Sequence, residues 1–168
     1  MNTPSLTLTP CTLDHANALI EGPESFERAF NLRVMSGYLE DSDALIFFRD
    51  QLRDHPEQSR WWTYLVIHRA DSALIGMAGY KGPPDDQGVV EIGYGIANDY
   101  RGRGYATEAA QALIDEAFTD PQVSAVIAHT MPNENPSTSV LGKVGMVRDG
   151  EMIDPEDGLV WGWRVERR

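Results

Sequence analysis

Cys11 is the chain's only cysteine, so no internal disulfide can form, and a reducing compartment, the cytoplasm, is the expected setting. No apolar run approaches the roughly 18 residues that cross a bilayer. Met1 to Pro10 lacks both the basic region and the apolar core of a secretory signal, so no membrane partner is expected. Cations are scarce: 14 Lys and Arg stand against 26 Asp and Glu, a formal net charge of −12. That balance argues against nucleic acid as a partner and suits a small or cationic substrate. His15, His55, His68 and His129 have no metal-ligand spacing, and no cysteine or carboxylate cluster completes a site, so no metal is expected. His129, ending a strand, is kept as a minor site candidate.

What is present suffices for one domain over residues 1–168. Hydrophobic residues make up 42% of the 168, which excludes a largely disordered chain, and no repeat, low-complexity tract or linker divides it. The residues at 6–11 read as an opening strand and 13–22 as a helix ended by Gly22. Residues 23–41 mix weak helical spacing with aromatics and are expected to form an irregular, substrate-facing segment. A helix at 42–53 takes Asp41 or Ser42 as its cap. Two strands at 60–69 and 73–82 flank a polar turn and form an antiparallel hairpin. A third strand spans 88–97, a helix runs to about Phe118, and a strand at 123–130, a helix at 136–145 and two closing strands complete the order. This predicts an α/β (α+β) chain with a mixed central sheet of about six to seven strands, one central parallel crossover and flanking helices.

The stretch DYRGRGYATEAA, residues 99–110, lacks something a helix start normally has. From Ala106 the apolar positions recur at steps of three and four, marking an amphipathic helix. Yet no Ser, Thr, Asp or Asn stands where a side-chain cap belongs; Gly102, Arg103 and Gly104 do. Such a start presents unpaired N–H groups and the positive end of the helix dipole. Glycine admits a bulky anion, and Arg101 and Arg103 add charge, so the loop suits a phosphate or diphosphate. The alternative is a solvated basic turn. The P-loop spacing and the dinucleotide fingerprint are both absent.

Arg101-x-x-Gly104-x-Ala106 resembles the Gln/Arg-x-x-Gly-x-Gly/Ala loop of the GNAT acyltransferase superfamily. Residues 91–110 are similar to the strand–loop–helix unit of its branch containing the ribosomal-protein N-terminal acetyltransferases. Residues 128–146 resemble that branch's second signature, with Gly142 in place of its Glu and Met146 in place of its Phe. The resemblance implies a GNAT fold whose sheet splays at the central parallel pair to admit the pantetheine arm, with a bulge in the strand holding Gly93 and Gly95. It implies acetyl-CoA as co-substrate and an amine on a small molecule or protein N-terminus as acceptor. Backbone groups of Ile96 and Ala97 would contact the pantetheine or acetyl group. Arg101, Gly102, Arg103, Gly104, Tyr105, Ala106 and Thr107 would surround the diphosphate, and the Asn135 side chain would reach the pantetheine amide.

Amine attack on a thioester needs a neutral amine, donors for the oxyanion and a route for protonating sulfur. Glu91 is the candidate general base, being the one carboxylate inside an otherwise apolar strand. Its alternative is a structural carboxylate, paired with an arginine or capping a neighbouring segment. Ser137 is the candidate acid for the leaving sulfur, with Tyr94 and Tyr105 as alternatives; Tyr94 is expected to pack and Tyr105 to flank the phosphates. Asn135, before Pro136, also reads as a helix cap. Of Trp61 and Trp62, one should enter the core and the other line a groove or interface. Trp161 and Trp163 share a face, core first and homodimer contact second. Phe26, Phe30, Arg33 and Tyr38 are candidates for an acceptor pocket. A second functional reading is an acyl-CoA-binding sensor or interaction module of the same fold with weak catalysis.

Overall fold

The computed structural model describes residues 1–37, 42–155 and 157–167. Strand β1 (Leu6–Pro10) leads into helix α1 (Leu13–Glu21), which begins at a reciprocal cap. The Thr12 hydroxyl accepts from the His15 amide at 3.2 Å, and His15 Nδ1 accepts from the Thr12 amide at 3.1 Å.

The segment expected to be irregular is largely ordered. Helix α2 (Pro23–Phe30) has proline in its first turn and ends at Asn31, whose φ of 53° gives a left-handed stop. Its apolar stripe turns inward, with Phe26 fully buried and its ring 4.7 Å from that of Phe30. Both pack into the core with α1. They are therefore structural and not acceptor-pocket residues. Strand β2 (Arg33–Val34) follows, and the Arg33 guanidinium donates to the Asp71 carbonyl. Tyr38 and Asp41 lie outside the described residues.

Helix α3 (Ser42–Asp54) and a 3-10 turn (Pro56–Trp61) precede strands β3 (Thr63–His68) and β4 (Ala73–Tyr80). The hairpin thus starts later than expected, because the proline at the head of the 3-10 turn shapes the residues before Thr63. Trp61 and Trp62 do enter opposite sides of the sheet, but both are core; neither lines a groove. Strand β5 (Val89–Ile96), helix α4 (Tyr105–Ala117) and strand β6 (Ala125–Thr130) form the parallel crossover. Helix α5 (Pro136–Lys143) and strands β7 (Val147–Asp154) and β8 (Gly158–Glu166) complete the order.

The sheet runs β1-β3-β4-β5-β6-β8-β7, with β2 parallel beside β4. That makes eight strands among the described residues, above the expected six to seven because two-residue β2 carries no sequence period. Helix α4 covers one face with Ala109, Ala110, Leu113, Ile114 and Ala117, which meet Val66, Ile75, Val90 and Val126. Helices α1, α2 and α3 cover the other, where Phe26, Leu45 and Leu52 meet Leu65, Leu74 and Met77. No described helix is long and apolar enough to cross a membrane.

Two features of the centre position the site. β5 and β6 pair only at Val89–Ala125, Val90–Val126 and Glu91–Ile127, although β5 continues to Ile96 and β6 to Thr130. Beyond Glu91 the strands part. The expected bulge is absent, since β4 and β5 pair without a register shift from Tyr80–Ile92 to Gly76–Ile96. The other reading of Gly93 and Gly95, a close approach of another chain, holds at Gly95: a Cβ at Gly76 of β4 would stand 2.2 Å from its carbonyl oxygen.

Candidate active site

A cavity of about 1010 Å³ opens where β5 and β6 separate. The start of α4 supplies one wall and the start of α5 another, both placed there by strands that end at the split. Ile96, Arg101, Gly102, Gly104, Tyr105, Ala106, Thr107, Asn135 and Ser137 all line it. Three other candidates do not. Ala97 is buried and donates its amide to the Ile75 carbonyl at 2.7 Å. Arg103 lies over the Tyr100 ring, its guanidinium carbon 5.6 Å from the ring centre. Glu91 lies on the strand just before the split, where its side chain meets two lining residues, Lys81 and His129.

The helix start lacks any side-chain cap. Gly102 and Gly104 have φ of 73° and 87°, in the left-handed region that favours glycine, and a Cβ at either would meet no atom within 4 Å. The first amides of a 13-residue helix therefore face open space lined by the same loop. This geometry suits a diphosphate. The loop's charged side chains have partners within the protein. Arg101 donates from Nε to the Ile96 carbonyl at 2.8 Å and from Nη2 to the Gly37 carbonyl at 2.7 Å, so it fastens the loop. Tyr105 lines the cavity as well, with its hydroxyl 2.9 Å from His68 Nε2.

On the α5 side, Asn135 is the helix cap, its Oδ1 accepting from the amides of Ser137 at 2.9 Å and Thr138 at 3.1 Å. Its Nδ2 donates to the Asn133 carbonyl at 3.0 Å. The structural reading of Asn135 is thus present in full, beside its place in the wall. Tyr94, expected to pack, also lines the cavity; its hydroxyl donates to the Ser137 carbonyl at 3.4 Å, and burial pushes its phenol up to about 12. It holds its proton at neutral pH.

The sheet floor carries a charged group that sequence order conceals. Glu91 Oε1 accepts from Lys81 Nζ at 2.6 Å and pairs with His129 Nδ1 at 3.0 Å. Lys81 and His129 both line the cavity. Glu91 therefore pairs with a lysine and a histidine, not an arginine. Lys81, Lys143 and Asp157 went unnoticed in the sequence. Lys143 and Ser139 could have been found, since with Pro136 and Val140 they form one helical stripe. Trp161 and Trp163 part company: Trp163 packs on the core and donates to Thr130 Oγ1 at 3.0 Å, whereas Trp161 lies 3.7 Å beneath the Arg148 guanidinium. Among the described residues no group of three or more His, Cys, Asp or Glu side chains could hold a metal ion.

Comparison with known proteins agrees with this geometry. Residues 5–147 match the acetyltransferase (GNAT) domain family. The chain is 29% identical over 105 residues to the uncharacterized N-acetyltransferase YjdG of Bacillus subtilis (strain 168), covering 62% of each chain. It is 32% identical over 118 residues to the uncharacterized N-acetyltransferase YnaD of the same organism, covering 70% of this chain and 65% of that protein. The matches thus span less than two thirds of these relatives' length. Among solved structures, the RimL ribosomal L7/L12 alpha-N-protein acetyltransferase in complex with coenzyme A shares the fold. Its TM-score is 0.71 at 15% identity, over 98% of this chain and 95% of that one.

Proposed function

Since the chain belongs to the GNAT acetyltransferase family, we propose that it transfers the acetyl group of acetyl-CoA to a primary amine of a small molecule or a protein N-terminus. The observation that carries this reading is the uncapped start of α4, with two left-handed glycines, opening onto the cavity at the β5–β6 split. Acetyl-CoA, as co-substrate, supplies an acyl group activated as a thioester. The α4 amides hold its diphosphate, the parted edges of β5 and β6 offer unpaired backbone groups along its arm, and the cavity shields the acyl carbon from bulk water. Glu91 lies where it can influence an incoming amine through the residues it pairs with. Ser137 stands on the wall, and no hydrogen bond to its hydroxyl is present among the described residues, which leaves it able to pass a proton to the departing sulfur. The solved neighbour bound to coenzyme A supports the choice of co-substrate. The lone cysteine supports a cytoplasmic setting for this reading, and the acidic charge supports a partner other than nucleic acid.

A second reading has its own observation. Glu91 has its Oε1 engaged by two side chains and does not border the cavity, as would suit an acyl-CoA-binding module with little turnover. Thiol release from acetyl-CoA, measured with a peptide N-terminus, a polyamine, an aminoglycoside and a free amino acid, separates the two. The transferase gives acceptor-dependent release with at least one class. Thermal stabilisation by acetyl-CoA without release from any class supports the binding module, and equal stabilisation by ATP overturns both.

A further inference from the structure

We propose that His129 takes the proton from the acceptor amine, and that Glu91 is a positioning residue acting through it. This rests on the transferase reading above and changes the assignment of the proton acceptor within it.

Three observations lead to it. First, the same Glu91 oxygen, Oε1, meets His129 Nδ1 at 3.0 Å and Lys81 Nζ at 2.6 Å, and the carboxylate does not border the cavity. Both contacts fall on one oxygen, and they link the carboxylate to two residues that do border the cavity. Second, His129 does border the cavity, with its side chain 18% exposed. An ionised carboxylate can only accept, so the hydrogen of this pair resides on Nδ1, and a neutral ring then carries its lone pair on Nε2. No hydrogen bond to Nε2 is present among the described residues. Third, the backbone puts the ring at the reacting end. Ile127 makes the last pairing of β6 with β5, and His129 comes two residues later, past the point where the strands part. Its partner on β8 is Gly162, which has no side chain to crowd the ring.

The acceptor ammonium gives one proton to His129 Nε2, and Glu91 stabilises the imidazolium across Nδ1–H. The freed nitrogen lone pair forms the C–N bond to the acyl carbon, and the C–S bond breaks with its electron pair going to sulfur. The nitrogen's surplus proton goes to that thiolate, giving the thiol. His129 returns its proton to water, so one proton is released per turnover. Lys81 Nζ, on the same Glu91 oxygen at 2.6 Å, helps hold the carboxylate against Nδ1.

The test compares three variants with the acceptor that gives thiol release in the wild type. His129→Ala should lower kcat by roughly 10²-fold or more while leaving the acetyl-CoA-induced rise in Tm unchanged. Added imidazole should restore part of the rate in a concentration-dependent way, which a purely structural histidine would not allow. His129→Asn keeps an N–H for Glu91 but has no basic nitrogen, so it should match His129→Ala even where the alanine variant folds poorly. Glu91→Gln keeps an acceptor for Nδ1–H and should lose less kcat than either. A His129→Asn enzyme of near wild-type turnover, with Glu91→Gln the more damaged, overturns the proposal alone. Absence of acceptor-dependent release from the wild type overturns the transferase reading together with it.

Discussion

Arg101 holds the end of β5 against the loop that follows it: its Nε donates to the Ile96 carbonyl at 2.8 Å, while Nη2 reaches the Gly37 carbonyl at 2.7 Å. Ile96 is the last residue of β5 and Gly104 the N-cap of α4, so this side chain spans the connection that aims the helix amides at the cavity. Charge-assisted bonds of this type contribute about 1.5–3 kcal/mol. Arg101→Ala should therefore lower both Tm and acetyl-CoA affinity, by loosening the loop. Arg101→Lys keeps the charge but cannot reach both carbonyls in a fixed fork, and should rescue little. Denaturation and coenzyme titration of both variants check this; full rescue by lysine would return Arg101 to a direct charge role.

Gly104 presents the complementary case, because its surroundings are open and its φ is 87°. Gly104→Val places a β-branched side chain in a left-handed conformation that costs about 1–2 kcal/mol, and it projects toward the space where phosphate would approach. The expected result is a small drop in Tm with loss of the coenzyme-induced shift. In the wild type, ligand at ~100 times its Kd should add ~2.7 kcal/mol. An equal shift in the variant would move the diphosphate away from this loop.

Asn135 unites two roles that substitution can separate. As cap of α5 it accepts from the Ser137 and Thr138 amides, so Asn135→Ala should cost about 0.5–2 kcal/mol of stability. Asn135→Asp keeps the accepting oxygens but loses the Nδ2 donor. Stability should return in the aspartate variant, and any remaining defect in KM for acetyl-CoA measures a direct contact with the coenzyme.

Glu108 ties the first turn of α4 to the start of the chain, accepting from the Thr3 hydroxyl and from the amides of Ser5 at 2.7 Å and Leu6 at 3.1 Å. Burial acts to raise its carboxyl, but these bonds outweigh burial and hold it below the usual carboxylate range. A carboxyl depressed in the folded state contributes stability that is present above its unfolded value of about 4.3. That contribution is lost as pH falls through the lower folded value. Urea denaturation should show the wild type losing its advantage over Glu108→Gln as pH drops below about 4.3; a difference independent of pH would exclude the linkage.

Much of the candidate site could be read from local sequence because it depends on backbone shape. Glycine at 102 and 104, no capping side chain, and an apolar period of three to four from Ala106 together require an exposed helix start, and the structure has one. The same locality explains the Asn135–Pro136 cap and the strand–helix–strand order around it. Side-chain roles were less legible. Arg101 carries a charge suited to phosphate, but only the fold shows two carbonyls within its reach. Phe26 and Phe30 are pocket candidates in the sequence because residues 23–41 read as an irregular, substrate-facing segment; in the fold the part that holds them is α2, which buries Phe26 in the core and packs Phe30 against it.

Local sequence is enough to place the helices, most strands and the uncapped, glycine-flanked start of α4, since those follow from steric and hydrogen-bonding rules acting over a few residues. The tertiary structure decided what stands beside Glu91. Lys81 and His129 come from opposite sides of it in the sheet and from distant parts of the chain, and the antiparallel and parallel registers of β5 bring them to one oxygen. No periodicity encodes such a meeting, because register is set by the whole hydrophobic pattern of the sheet.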